Sequence, residues 1–247
     1  MREELKHPLQ CTACRRGFLK LASASIAGIA APSLLAIPAH ADALTKAQRD
    51  GMTPEQIIEA MKRGNERFQK GERKPRNYLN EQKASAKGQY PAAVLLSCID
   101  SRAPAEVIMD LGIGDIFNCR IAGNIENPDI LGSMEFATKI MGAKVVLVMG
   151  HTSCGAIKGA IANVELGNLT GLLARVKPAV EATQYDGERT ATNYAFVDKV
   201  ARKNVELTLA DIRRDSQVLN ELESQHAIKI AGAMYNISTG AVDFFSA

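Results

Sequence analysis

The chain has no internal repeat, no low-complexity linker and no tryptophan, and so reads as one domain rather than an array. A charge bias is missing as well. Residues 1–41 hold five of the 30 basic and two of the 27 acidic residues, so without them the formal charge falls from +3 to zero. A chain so balanced offers no concentrated positive patch, which excludes nucleic acid and an anionic membrane surface as partners. A disulfide framework is also absent. Cys11 and Cys14 lie in the leading segment, and their C-x-x-C spacing has no second pair to complete a zinc site. That leaves Cys98, Cys119 and Cys154. Three thiols in an oxidising compartment argue for protection by burial or by metal. Nor is there a good membrane span: residues 21–41 are uncharged and long enough, but Ala-rich and broken by Pro32 and Pro38.

What is present begins with that leading segment. Cys14-Arg15-Arg16-Gly17-Phe18-Leu19-Lys20, the apolar middle and the closing Ala39-His40-Ala41 have the order of a twin-arginine signal peptide with a small-residue cleavage site. We expect cleavage after Ala41 and export through the twin-arginine machinery to the periplasm, with no stable span after processing. That route carries folded cargo, so a metal or cofactor can be inserted beforehand. The remaining chain, with 46% hydrophobic and 23% charged residues overall, has an ordinary globular composition and the length for one sizeable core. The expected division is residues 1–41 as signal, 42–89 as an N-terminal helical arm and 90–247 as an α/β catalytic domain.

Within the arm, Thr53-Pro54-Glu55-Gln56 supplies a capping box with proline at the first helical position, and Ile57, Ile58, Met61 and Phe68 follow at near-helical spacing. Residues 71–89 are polar and read as a loop with room for a short helix. Residues 92–97 and 143–149 are continuous apolar runs of strand length, the pattern of strands buried on both faces in a parallel sheet. A short strand at 116–120, a helix at 133–141 and another just past Gly155 complete βαβ units, hence an α/β fold with a mostly parallel central sheet flanked by helices. Residues 193–213 and 216–226 look helical, and 228–235 with 241–245 form a closing hairpin.

Cys98 follows the first apolar run, and His151 and Cys154 follow the second. Groups at the carboxyl ends of neighbouring parallel strands converge on one crevice, so two thiolates and an imidazole can meet there. That set suits zinc, and three protein ligands leave a fourth position for water. Asp100 and Arg102, in the turn after Cys98, can orient that water through a carboxylate that the guanidinium grips. Taken singly, each residue has a plainer role: a buried thiol, a hydrogen-bonded core histidine, a surface ion pair. Cys119 reads as a small buried hydrophobe, and His226 as a solvent-facing or helix-end side chain.

Cys98-x-Asp100-Ser101-Arg102 followed by His151-x-x-Cys154 resembles the signature of the β-class carbonic anhydrases. The resemblance runs from about Gln89 through the C-terminal hairpin, with Gly114-Asp115-Ile116-Phe117, Arg120, Ala122-Gly123-Asn124 and the glycines flanking the second motif adding to it. It implies one zinc per subunit on Cys98, His151 and Cys154, an Asp100–Arg102 dyad, and a pocket shaped by Gln89, Phe117 and the Gly155 amide. The implied reaction is reversible hydration of carbon dioxide to bicarbonate and a proton by a zinc-bound hydroxide, in a homodimer or higher homo-oligomer. Because two thiolates neutralise the ion, the rate is expected to rise into alkaline pH. Phe136 stands where some relatives carry tyrosine, and Ile121 where asparagine is frequent. Leu95 replaces a tryptophan of a regulatory bicarbonate pocket, which implies a constitutively open enzyme. Three rivals remain: hydrolysis of carbon disulfide or carbonyl sulfide on the same zinc, a closed structural zinc module if Cys119 completes a Cys₃His set, and a cysteine-nucleophile phosphatase, for which residues 99–103 supply no phosphate cradle.

Overall fold

The two apolar runs form adjacent strands whose side chains alternate between the sheet's faces, each face finding its own helices. The structure is a computed structural model that describes residues 43–245; the expected signal and its Ala41 cleavage site lie outside the described residues. In chain order come α1 (Lys46–Gly51), α2 (Pro54–Lys70), α3 (Tyr78–Ser85), β1 (Ala93–Ser97), α4 (Ala105–Ile108) and β2 (Ile116–Arg120). A 3-10 turn (Ala122–Asn124), α5 (Pro128–Glu135) and a π turn (Phe136–Ile140) lead to β3 (Val145–His151). The chain continues through α6 (Gly155–Ile161), α7 (Gly167–Ala182), α8 (Tyr194–Asp215), α9 (Gln217–Ser224), β4 (Lys229–Tyr235) and β5 (Val242–Phe245).

The sheet order is β2-β1-β3-β4-β5, parallel throughout except for the β4–β5 hairpin. Ala93, Leu95, Val145, Leu147 and Met149 face α2 and α4 with Ile57, Ile58, Met61 and Ile108. Val94, Leu96, Val146 and Val148 face the other way, onto Met134, Val205, Leu209 and Ile212. A third cluster, beyond the strand ends, joins Cys98 and Cys154 to Ile157, Leu173, Val176 and Phe196.

The capping box on Thr53 forms as its sequence pattern requires, with Gln56 donating its backbone N–H to the threonine hydroxyl and accepting the Thr53 N–H in return. Two elements differ from expectation. The helix expected at 133–141 starts at Pro128, because Asn127 caps it and Pro128 occupies the first helical position. Residues 167–182 form α7, which was not anticipated: Gly167, Gly171 and Pro178 argue against a helix locally, but burial of Leu173, Val176 and Ala179 overrides them. Among the described residues no helix is long and apolar enough to cross a membrane.

Candidate metal centre

Ser97 lies opposite Met149 in the parallel β1–β3 pair, so both strands run out toward the same edge of the sheet. Cys98 follows Ser97 directly. His151 is the last residue of β3, one step earlier in the structure than a turn position, and Cys154 caps α6. All three side chains are buried, and their ligand atoms lie within 4.8 Å of one another. The two Sγ atoms are 3.9 Å apart. Two thiolates on one tetrahedral zinc at ~2.3 Å would stand about 3.8 Å apart, so the pair fits without rearrangement.

The histidine ring is oriented for the same purpose. Its Nδ1–H donates to the Thr152 carbonyl at 2.9 Å, which leaves the Nε2 lone pair buried with no hydrogen-bond partner. A buried nitrogen without a partner, beside two sulfurs, is a donor set awaiting a cation.

Without a cation the two sulfurs compete for protons as a coupled pair. The hydrogen bond from Cys154 pulls the Cys98 thiol well down, helped by the His151 ring and the Gly123 amide against the opposing effect of burial. Cys154 is pushed far upward by the facing Cys98 sulfur and by burial. Burial opposes a charged His151 ring, but the Cys98 sulfur, the Thr152 carbonyl and Asp100 outweigh it and raise the ring's pKa.

Asp100 lies beside this group, its Oδ2 3.8 Å from His151 Nε2. Arg102 grips it bidentately, Nε to Oδ1 at 2.9 Å and Nη2 to Oδ2 at 2.7 Å, and the Arg102 backbone N–H donates to Oδ1 at 3.0 Å. That guanidinium holds the Asp100 carboxyl well below the usual carboxylate range. The Asp100 side chain is 15% exposed and that of Arg102 53%, so the acid faces the buried group and the base faces outward.

Two residues that support the ligand loops had no role in the sequence reading. Arg120, at the end of β2, donates to the Cys98 carbonyl (2.9 Å) and the Asp100 carbonyl (2.6 Å), bracing the turn that carries both. Asp198, on α8, accepts the Ser153 backbone N–H at 2.7 Å, between His151 and Cys154. Arg120 was visible as part of a motif, whereas Asp198 has no spacing that would mark it.

The other expected positions fall elsewhere. Gly155 is exposed at the first turn of α6, next to Cys154. Gln89 is exposed and lies four residues before β1, at the opposite end of that strand from Cys98. Phe117, on the edge strand β2, pairs with Val94 and meets the Phe136 ring edge-on at 6.3 Å. Within one chain neither joins the ligand group. Cys119 pairs with Leu96, is half-buried against the core face of Val94 and Leu96, and its thiol is pushed up by that burial. It is not part of the three-residue group, so among the described residues no Cys₃His set forms.

Comparison with known proteins agrees with this geometry. A family model described as carbonic anhydrase matches residues 93–242. The chain is 34% identical over 187 residues to "Carbonic anhydrase 2" of Mycobacterium tuberculosis, covering 73% of this chain and 87% of that one. It is 30% identical over 193 residues to a carbonic anhydrase of Mycolicibacterium smegmatis, covering 76% and 91%. Its fold is similar to that of a tetrameric β-carbonic anhydrase from Sordaria macrospora, with a TM-score of 0.57 at 24% identity over 64% of this chain and 82% of the other.

Proposed function

The chain belongs to the carbonic anhydrase family and has the β-class fold, and from that membership we infer that Cys98, His151 and Cys154 hold one zinc ion per subunit beside a working Asp100–Arg102 dyad. The reaction is the reversible hydration of carbon dioxide to bicarbonate and a proton. The observation that carries the metal reading is the buried, partnerless His151 Nε2 within 4.8 Å of two sulfurs. Bound there, zinc would supply a Lewis acid that lowers the pKa of water and so makes it nucleophilic.

The chain's own contribution follows from the geometry. Asp100, held ionised by Arg102, presents a fixed acceptor within a short reach of the ligand group and orients a donor such as water by its hydrogen bond. Because Arg102 binds the carboxylate on both oxygens, its orientation beside His151 and the two sulfurs is fixed. Gly155 offers one of the amides that a first helical turn leaves without an intrahelical partner, suited to an anionic product.

Gln89 and Phe117 shape a pocket only if a second copy brings them, since β1 alone places about 13 Å between its first and last residues. The functional unit is therefore a homodimer or a higher homo-oligomer. Residues 1–41 are a twin-arginine signal cleaved after Ala41, and the mature enzyme resides in the periplasm; this reading is supported by Arg15-Arg16, the apolar middle and Ala39-His40-Ala41.

The decisive experiment is stopped-flow carbon dioxide hydration by the purified protein, with its metal content, across neutral to alkaline pH. The expected outcome is one zinc per chain and a rate that rises toward alkaline pH. Cys98→Ala should lose the metal. Asp100→Asn should keep it and lose about 10- to 100-fold in rate. A zinc-replete protein that leaves carbon dioxide untouched would overturn the assignment.

A further inference from the structure

Between two of the ligands lie only Thr152 and Ser153, and that pair is bent into an unusual shape. Ser153 has φ of +57°, the left-handed region that side chains other than glycine rarely adopt. Such a conformation persists only where its surroundings hold it.

Three contacts do so. The Thr152 backbone N–H donates to the Tyr235 carbonyl on β4 at 2.9 Å, the last rung of the β3–β4 pairing. The Ile237 N–H donates to the Thr152 hydroxyl at 3.1 Å. The third is the Ser153 N–H to Asp198 Oδ1 at 2.7 Å, 45 residues away on α8. The first two fasten Thr152. Among the described residues Asp198 alone fastens Ser153, the residue in the strained conformation and the one that joins directly to Cys154.

Asp198 also has no cation within ion-pair distance among the described residues. Its neighbours on α8, Phe196, Val197, Val200 and Ala201, are buried in the cluster that also contains Cys98 and Cys154. The helix is thus packed rigidly against the centre, and its one carboxylate on that side is directed at a single backbone amide.

We propose that Asp198 is a positioning residue of the metal centre: by holding Ser153 in its left-handed conformation, it sets the spacing between His151 Nε2 and Cys154 Sγ. The inference rests on the zinc reading above. Asp198 touches no ligand, substrate or reacting atom, and acts only through the turn.

The test uses the full-length protein with Asp198→Ala and the conservative Asp198→Asn, which retains an acceptor oxygen. Three quantities are measured: zinc affinity by competition with a chromophoric chelator, the visible absorption spectrum of the cobalt-substituted protein, and the urea midpoint of the metal-free protein. Asp198→Ala should weaken zinc retention by about 10- to 100-fold and alter the cobalt bands, with the metal-free midpoint nearly unchanged. Asp198→Asn should recover most of both. Unaltered zinc affinity and cobalt bands in Asp198→Ala would overturn the proposal. So would a metal-free midpoint that falls in step with affinity, because Asp198 would then be acting on the fold as a whole. If Asp198→Ala does not fold, Asp198→Leu, similar in shape but without an acceptor oxygen, decides: weakened zinc retention with shifted cobalt bands supports the role, and wild-type retention or loss of folding there too refutes it. Wild-type protein that binds no zinc would overturn the metal reading itself, whereas zinc-replete wild type with indifferent variants overturns this inference alone.

Discussion

Across 3.9 Å the facing sulfurs push the Cys98 pKa down and the Cys154 pKa up, so Cys154 is the harder of the two to deprotonate. A cation taken up by both sulfurs and His151 must displace the Cys154 proton and whatever fraction His151 carries, since both have raised pKa values. As pH rises fewer protons compete, so zinc affinity should increase between pH 6 and 8, by about tenfold per unit for each proton displaced. Chelator competition at pH 6, 7 and 8 measures it, and an affinity independent of pH would remove Cys154 from the ligand set. The Cys98–His151–Cys154 group and the Asp100–Arg102 pair were legible because each motif spans five residues or fewer and marks a strand end. Arg120 and Asp198 act on backbone atoms 22 and 45 residues away, and a contact between a side chain and a distant amide imposes no spacing on the sequence.

Helices and strands were readable where local preference and burial agree. The capping box before α2 and the apolar runs of β1 and β3 are examples, each favoured by its own residues and then covered. α7 shows the opposite case, a helix with two glycines and an internal proline held in place by the core it covers. Gly64 marks where two elements approach most closely: a Cβ there would stand 1.9 Å from the Met109 carbonyl oxygen at the end of α4. Backbone cannot yield as a flexible side chain would, so α2 and α4 must separate. Gly64→Ala should cost about 1–3 kcal/mol despite alanine's better helix propensity. Urea denaturation measures it, and a midpoint equal to or above wild type would show that the helices can part freely.

At the scale of the whole molecule, the polar segment 71–89 is the largest surprise. Arg76 and Glu81 look like solvated loop charges, yet their side chains are only 5% and 1% exposed, paired at 3.1 Å beside the fully buried Asp110. Arg67 pairs with Asp110 from α2 at 2.7 Å, and the Ile113 N–H donates to Glu81 at 2.9 Å. Only their mutual neutralisation makes such burial tolerable. The proposed sharing of a pocket between subunits belongs to the same scale. Gln89→Ala protein should lose about tenfold in kcat/KM, the worth of one hydrogen bond to substrate. After subunit exchange with Cys98→Ala protein, activity should return in the mixed oligomer, because one site then has its ligands from one chain and Gln89 from the other. Mixing without recovery would place Gln89 outside any shared pocket. What the sequence by itself determined is the chemistry: a donor set of two sulfurs and a ring nitrogen, an acid gripped by a base, and strands whose unbroken apolar character demands cover on both faces. Tertiary structure alone decided how firmly that chemistry is held. The supports of the centre and the buried charges of 71–89 exist only because distant segments meet, and such pairings depend on three-dimensional proximity that no local pattern encodes.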